Sequence, residues 1–444
     1  MILSRHSFGI WGLIAKRTAR AVFTLPDPSL ARKAIKETLA GTNELGVYIH
    51  IPFCKSLCLF CPYVRFLVRD AESISQYVEA LKAETRMYGE LLQGLGLKIV
   101  HIHVGGGTPS LLDGSHFREI LNTLAQYFET PPRIAIEANP DDLVNERKVC
   151  ELINCGVADV SLGVQSSNPN MLKKLGRKHS WETSLQAITN LRRAGVEHLN
   201  MDLMFMVPGQ SLEEWVQDLE SATRQDVDEI TVYPTLITEH CLGYKLVEKG
   251  QINQPDRSAF KKMVYTAEDT LSSKGFKPVE IYSYSKQVDW KYATVNYEME
   301  GPLLGIGCGA IGFTGGYEYQ NTCSVQEYIR AVLNKRLPIA GARPVSANRR
   351  AIRYAACRLF ICRRLNRAEF EQNVGSLSLL GSFGKMLTLF RLLGYIKEEN
   401  GELKLTRKGL FPAHLRCWAS VTNWPCRMAQ EFLKTPWPTE VKIP

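Results

Sequence analysis

Short runs rich in β-branched residues recur along the first half of the chain, at Gly46 to Ile51, Lys98 to Val104, Arg133 to Glu137, Asp159 to Gly163, His198 to Val207 and Glu229 to Val232. They predict six strands. Between them, Ser73 to Leu95, Ser115 to Phe128, Asn145 to Asn154, Trp181 to Ala194 and Ser211 to Gln225 carry apolar positions at helical spacing. Alternation of strand and helix implies parallel strands, read here as a barrel or partial barrel. In such a fold the loops that follow the strands carry the chemistry. The unusual sequences fall on those loops, at His50 to Cys61, Gly105 to Ser110, Glu137 to Asp142, Gln165 to Ser167 and Pro208 to Gln210.

After Val232 the rhythm loosens, and from about Val345 the pattern becomes three helical runs, Asn348 to Cys362, Asn366 to Asn373 and Phe383 to Leu393, followed by a hairpin over Tyr395 to Leu405. This reads as a winged-helix-like α+β unit. Winged helices often bind DNA, but the same unit serves as a lid or packing module, and nucleic acid is not the expected partner. The expected divisions are 1–44, a basic and apolar extension; 45–240, the barrel core; 241–344, its extension; and 345–444, the C-terminal unit and tail.

Composition adds limits. The 444 residues are enough for roughly two or three units, and 45% hydrophobic with 22% charged residues excludes wholesale disorder. The apolar stretch around Phe8 to Ala15 is far short of the roughly 20 residues that span a bilayer, so neither a transmembrane helix nor a signal peptide is expected. Residues 1 to 36 mix Ile2, Leu3, Phe8, Ile10, Trp11, Leu13 and Ile14 with Arg5, Lys16, Arg17 and Arg20, a pattern for a helix packed on the barrel or for peripheral contact with an anionic membrane surface. The net charge of +9 favours anionic partners without naming one. Twelve cysteines in a chain of this size do not make a disulfide scaffold, and three of them crowd into the eight residues Cys54 to Cys61. Metal ligation in a reducing, cytoplasmic setting is the expectation.

Those three thiols stand at C-x3-C-x2-C directly after the first strand. Three thiolates leave one iron of a [4Fe-4S] cube without a protein ligand, which separates a reactive cluster from the four-thiolate electron carriers. Zinc is the competing reading, but zinc sites usually add a second ligand pair, and His50 lies within the predicted strand.

The spacing resembles the radical S-adenosylmethionine (SAM) superfamily. Tyr48-x-His50-x-Pro52-Phe53-Cys54, Gly105-Gly106-Gly107-Thr108-Pro109, Glu137-Ala138-Asn139-Pro140, Gly163-Val164-Gln165-Ser166 and Asp202 to Gln210 follow in the order seen in its oxygen-independent coproporphyrinogen oxidase family, over residues 45 to 315. The resemblance implies an α/β fold, a partial (β/α)6 barrel with the C-terminal domain appended. It implies a [4Fe-4S] cluster on Cys54, Cys58 and Cys61, with SAM chelated at the open iron. Backbone amides of Gly106, Gly107 and Thr108 are expected to take the methionine carboxylate as an anion nest. Glu137 would accept from the cofactor amine, Gln165 and Arg177 would make polar contacts, and Asp202 would hold ribose hydroxyls. A second SAM is expected near the stretch Gly305 to Gly312, with Tyr48, Phe60, Leu236 and Ile311 as contacts to the cofactors. Reduced flavodoxin or ferredoxin would supply the electron.

Within that family, Cys61-Pro62-Tyr63-x-Arg65-Phe66 departs from the decarboxylases, which usually follow the third cysteine with Gly. This context, with Asp228 to Leu236, looks most like the menaquinone C8-methyltransferases. The implied reaction is methylation of an sp2 ring carbon of a quinone or tetrapyrrole, with Tyr63 and Arg65 lining the ring's path and Tyr63, His240 or Cys308 as the final base. Oxidative decarboxylation of coproporphyrinogen, and a haem chaperone without oxidase activity, are the alternatives. Trp418, Trp424 and Trp437 in the tail are expected to cover a greasy channel or to pack on the C-terminal unit.

Overall fold

The computed structural model describes residues 20–130, 133–235, 237–239, 241–253, 256–287, 301–375, 377–423 and 425–443. The expectations for residues 1–19, Leu236, His240 and Trp424 lie outside that set.

Six parallel strands form the core of one sheet in chain order: β1 (Glu44–Ile51), β2 (Lys98–Gly106), β3 (Ile134–Ala138), β4 (Val157–Gln165), β5 (His198–Phe205) and β6 (Glu229–Pro234). Helices Ala71–Leu92, Gly114–Ala125, Glu146–Ile153, Trp181–Arg193 and Leu212–Thr223 return the chain between them. Their starts are locally encoded. Ser211 accepts from the Glu214 amide at 3.1 Å while Glu214 accepts from the Ser211 amide at 2.8 Å, so two otherwise orphaned N–H groups are paired.

The sheet extends beyond the six strands on both sides. Strand β7 (Leu303–Ile306) joins β1 in parallel, pairing Gly305 with Tyr48, and antiparallel strands continue from it to the outer pair Ala21–Thr24 and Glu440–Ile443. On the other side Ser283–Ser285 and Lys277–Pro278 follow β6. The strand order is linear, so the barrel is partial, as expected. Among the described residues no helix is long and apolar enough to cross a membrane.

Both faces of the six strands are covered, yet only one is apolar. Along β4 all nine residues are buried. Ala158, Val160, Leu162 and Val164 alternate with Asp159, Ser161, Gly163 and Gln165. The same alternation puts His101 and His103, Glu137, His198, Asn200 and Asp202, and Glu229, Thr231 and Tyr233 on one face of their strands. They meet across it: Thr231 Oγ1 donates to Asn200 Oδ1 at 2.9 Å, and Asn200 Nδ2 donates to Ser161 Oγ at 2.9 Å. The barrel therefore has an apolar outer layer against the helices and a polar lumen.

Helix Ala347–Ala356 runs on into a wider turn over Cys357–Ile361, and is followed by strand Arg364–Asn366, helices Arg367–Val374 and Leu379–Leu392, and the hairpin Ile396–Glu399 with Glu402–Leu405. The three strands form their own sheet, the C-terminal domain anticipated above. It is fastened to the barrel by Arg363, whose two terminal nitrogens reach Glu268 at 3.0 and 2.9 Å. In the tail, Trp418 stands perpendicular to Phe260 at 5.1 Å, and Trp437 lies over Arg336 and donates to Glu327 at 3.0 Å. Both pack on protein.

Candidate functional site

The loop after β1 carries Cys54, buried, with Cys58 and Cys61 partly so. The loop is tied at several points. His50 Nε2 donates to Val64 O at 2.9 Å, which leaves Nδ1 to accept from the Tyr48 hydroxyl at 2.8 Å. Burial lowers the His50 pKa and keeps the ring neutral in this role. Arg65 donates to Tyr63 O at 3.0 Å and to Cys58 O at 3.1 Å, so its guanidinium braces the loop. Phe60 wedges between two small apolar groups, Met171, Leu175, Met204 and Val207 on one side and Ile237, Cys241 and Val247 on the other.

The second and third loops close on the first. Thr108 Oγ1 donates to Cys54 Sγ at 3.4 Å and accepts from Asn139 Nδ2 at 3.3 Å. Arg177 donates to Asn139 Oδ1 at 2.7 Å, to Gly163 O at 2.6 Å and to Cys58 Sγ at 3.4 Å. Two of the three amides expected to form an anion nest are already used: Gly106 N–H donates to Glu137 Oε2 at 3.1 Å and Gly107 N–H to Ile51 O at 2.7 Å. The glycines instead permit close packing, since a Cβ on Gly106 would stand 2.7 Å from the His50 ring and one on Gly107 2.7 Å from Phe53 O. Gln165 sits at φ 73°, a left-handed conformation that turns the chain out of β4.

Asp202 faces the lumen, accepting from Ser161 Oγ at 2.8 Å and Asn200 Nδ2 at 2.9 Å. Burial pushes its pKa up to about 7, with the Glu137 charge adding to the effect. Tyr63 and Tyr233 expose 55% and 40% of their surface, and Tyr233 packs on Tyr282 at 5.7 Å.

The glycine-rich stretch after β7 reaches the same region. A Cβ on Gly309 would meet Val64 of the cysteine loop at 3.0 Å, and Ile311 is partly exposed at the start of the next strand. Cys308 does not fit the role of base. It is fully buried in the hydrophobic core, and burial holds its thiol well above the ordinary value. A low-dielectric pocket disfavours the thiolate a base would have to be.

Whether these residues suit a metal cluster can be tested on the donor set. Burial pushes the Cys61 thiol up to about 12 and raises that of Cys54, so both stay protonated until a metal displaces the proton. Beside the three sulphurs stand two guanidiniums, Arg65 and Arg177, each with Nε buried and without a partner among the described residues. Three thiols with compensating cations fit an anionic iron–sulphur cluster. Among the described residues no three His, Cys, Asp or Glu side chains converge closely enough to hold a single metal ion.

Residues 48–222 match the family model described as the Radical SAM superfamily. The heme chaperone HemW of Buchnera aphidicola is 30% identical over 295 residues, 66% of this chain and 74% of that protein. The chain belongs to the radical SAM superfamily, in its coproporphyrinogen oxidase-like family. The heme chaperone HemW of Bacillus subtilis is 26% identical over 367 residues, 82% of this chain and 96% of that protein. Among solved structures, the coproporphyrinogen III oxidase of Escherichia coli superposes with a TM-score of 0.76 at 21% identity, covering 90% of this chain and 94% of that one. The shared fold is thus a radical SAM barrel with a C-terminal domain, and the cofactors of this family member are a [4Fe-4S] cluster and SAM. Closeness to the menaquinone C8-methyltransferases finds no support in these relatives, which are haem chaperones and an oxidase.

The lumen residues His103, Ser161, Asn200 and Thr231 were missed by motif reasoning. The signal for them was present as polar residues spaced two apart inside otherwise apolar strands.

Proposed function

We propose that the protein binds haem or a related tetrapyrrole and acts as a carrier of the HemW kind, with Cys54, Cys58 and Cys61 holding the cluster and Glu137, Gln165, Arg177 and Asp202 framing SAM. The observation that carries this reading is the extent of the match to the Bacillus subtilis chaperone, 96% of that protein, so that likeness runs beyond the cofactor barrel. Tyr63 on the cysteine loop and Tyr233 on the polar face of β6 are exposed and would supply flat faces for a macrocycle.

A second reading, radical chemistry on the tetrapyrrole, is favoured by the completeness of the cofactor frame. Bound together, the two cofactors supply one-electron reductive chemistry at a sulphonium. In that reading Arg177 holds the Cys58 sulphur and the Asn139 amide in one geometry, and Asp202, near neutral pH only partly ionised, is able to donate as well as accept hydrogen bonds toward the lumen. Methylation of a quinone ring rests on the Cys61 to Phe66 context and the stretch Asp228 to Leu236 alone.

Anaerobic reconstitution with iron and sulphide, then titration with haem followed by its Soret absorbance, and in parallel incubation with SAM, dithionite and either coproporphyrinogen III or a quinone with mass spectrometry of every product, separates these readings. The carrier reading expects one haem per chain, recovered unaltered. A decarboxylated tetrapyrrole with 5′-deoxyadenosine supports the second reading, and S-adenosylhomocysteine with a methylated ring would restore methylation.

A further inference from the structure

Helix Arg257–Ser273 packs on the barrel, where Trp215 Nε1 donates to Met263 O at 3.1 Å, and on helix Arg407–Asn423, where Phe260 meets the Phe411 ring edge-on at 5.2 Å. Between these two helices and Tyr395, at the start of the C-terminal hairpin, lies a hollow of about 540 Å³. That is the size of a small-molecule site. Its wall is aromatic, formed by Tyr265, Tyr395 and Phe411, and its rim is cationic, formed by Arg257, Lys261 and Lys408. No acidic residue lines it.

The carboxylates of helix Arg257–Ser273 are engaged elsewhere. Glu268 is held by Arg363, Asp269 takes both terminal nitrogens of Arg407 at 2.6 and 2.8 Å, and the capping Asp256 accepts from the Ala259 amide at 2.8 Å. Lys261 and Lys408, by contrast, are exposed and form no ion pair among the described residues. Lys261 Nζ stands 6.0 Å from the centre of the Tyr265 ring, the outer limit of a cation–π contact, so it is free to turn to an anion. Lys408 runs past Gly394, where an added Cβ would stand 3.9 Å from its Nζ, and so lies beside Tyr395. The Tyr265 hydroxyl donates to Arg407 O at 3.2 Å, which fixes that ring in the wall.

Flat faces, three cations and no carboxylate suit a ligand with an unsaturated ring and several negative charges. A nucleoside polyphosphate and a tetrapyrrole carboxylate both have that chemistry. No His, Cys or Met lines the hollow, so a haem iron would find none of its commonest axial donors there. A purine needs only a face to stack on, and Lys and Arg serve its phosphates.

We propose that this hollow binds a purine nucleoside di- or triphosphate, with the base against Tyr265, Tyr395 and Phe411 and the phosphates met by Arg257, Lys261 and Lys408. None of these residues belongs to the cysteine loop or the lumen, so the site depends neither on the cluster nor on the tetrapyrrole reading. With no carboxylate in the lining to hold a divalent cation, the phosphates bind without Mg²⁺. The occupant touches both the barrel helix and the C-terminal domain, and its binding stabilises the folded chain in proportion to its concentration over Kd.

The test uses the full-length reconstituted protein with SAM at saturation, so that the adenosine of the probe does not report on the SAM site. ATP binding is measured by isothermal titration in wild type, in the double variant Lys261→Ala, Lys408→Ala and in the double variant Lys261→Arg, Lys408→Arg. The Ala pair should weaken ATP at least about tenfold at low ionic strength, with the gap narrowing as salt is raised. The Arg pair should retain it, and wild type should bind equally with and without Mg²⁺. In thermal melts ATP should raise the transition of wild type more than that of the Ala pair. Absence of ATP binding to wild type, or equal affinity in wild type and the Ala pair, would overturn the site. Inorganic tripolyphosphate binding as tightly as ATP would overturn it too, since that is a charged patch without ring recognition. Displacement of ATP from wild type by haem would give the hollow to a tetrapyrrole and overturn the nucleotide.

Discussion

Glu84 offers a quantitative test of how the glycine-rich stretch is held. It is fully buried on helix Ala71–Leu92, accepting from Gly307 N–H at 2.8 Å, Asn321 Nδ2 at 2.8 Å and the Tyr328 hydroxyl at 2.6 Å. Two turns earlier the Tyr77 hydroxyl donates to His50 O and accepts from Cys308 N–H, both at 2.8 Å. One helix face thus pins the glycine-rich stretch against β1. Burial nevertheless dominates and pushes the Glu84 pKa up to about 7 from an ordinary 4.5. Because the folded-state value is raised, the folded chain keeps a proton that the unfolded chain has released. The resulting stabilisation is complete below pH 4.5 and is lost as pH rises to about 7. At about 1.4 kcal/mol per unit the loss is roughly 3 kcal/mol. Glu84→Gln keeps the size and an accepting oxygen but cannot titrate. Urea unfolding of wild type and variant at pH 5 and pH 8, followed by tryptophan fluorescence, should show the variant gaining on wild type by roughly 3 kcal/mol at the higher pH. A gap between the two proteins that does not change with pH would refute the assignment of a strained, buried carboxyl.

Replacing Cys54, Cys58 and Cys61 together by Ala should abolish iron uptake and the cluster absorbance, read by iron assay. Arg65→Ala removes the brace on Cys58 O and Tyr63 O, and iron loss to a chelator should be at least about threefold faster if those charge-assisted bonds carry about 1 kcal/mol. Asp202→Asn should weaken SAM binding by at least about tenfold, or roughly 1.4 kcal/mol, with cluster content unchanged; isothermal titration checks the first and absorbance the second. Gly307→Ala places a Cβ 2.6 Å from His50 O at φ 108° and should cost more than about 2 kcal/mol in urea melts.

The six barrel strands and the loops between them were legible because parallel strands and amphipathic helices have different periods, and each predicted strand overlaps an observed one. Cofactor motifs were legible because they lie within a few residues of a strand end. What was not legible depends on residues far apart in the chain. Glu84 reads as one more polar position on an amphipathic helix until Gly307, Asn321 and Tyr328, more than 220 residues later, are folded onto it. The bonds of Arg65 to Tyr63 O and Cys58 O were not legible either, because hydrogen bonds to loop carbonyls leave no trace in side-chain chemistry. The partners of the Gly106 and Gly107 amides were hidden for a similar reason: glycine spacing shows that backbone can approach something closely, and here that something is β1 and Glu137.

The position of β1 bears on how the protein is made. Its neighbours are β2 on one side and β7 on the other, and β7 ends at Ile306, 245 residues after Cys61. At about 5–20 residues per second a ribosome needs roughly 10 to 50 s to cover that distance. During that interval the three thiols have emerged while one wall of their cradle does not yet exist. Cluster insertion into a finished site therefore cannot begin before β7 has been made, and Cys54, Cys58 and Cys61 pass that interval without the wall that β7 supplies.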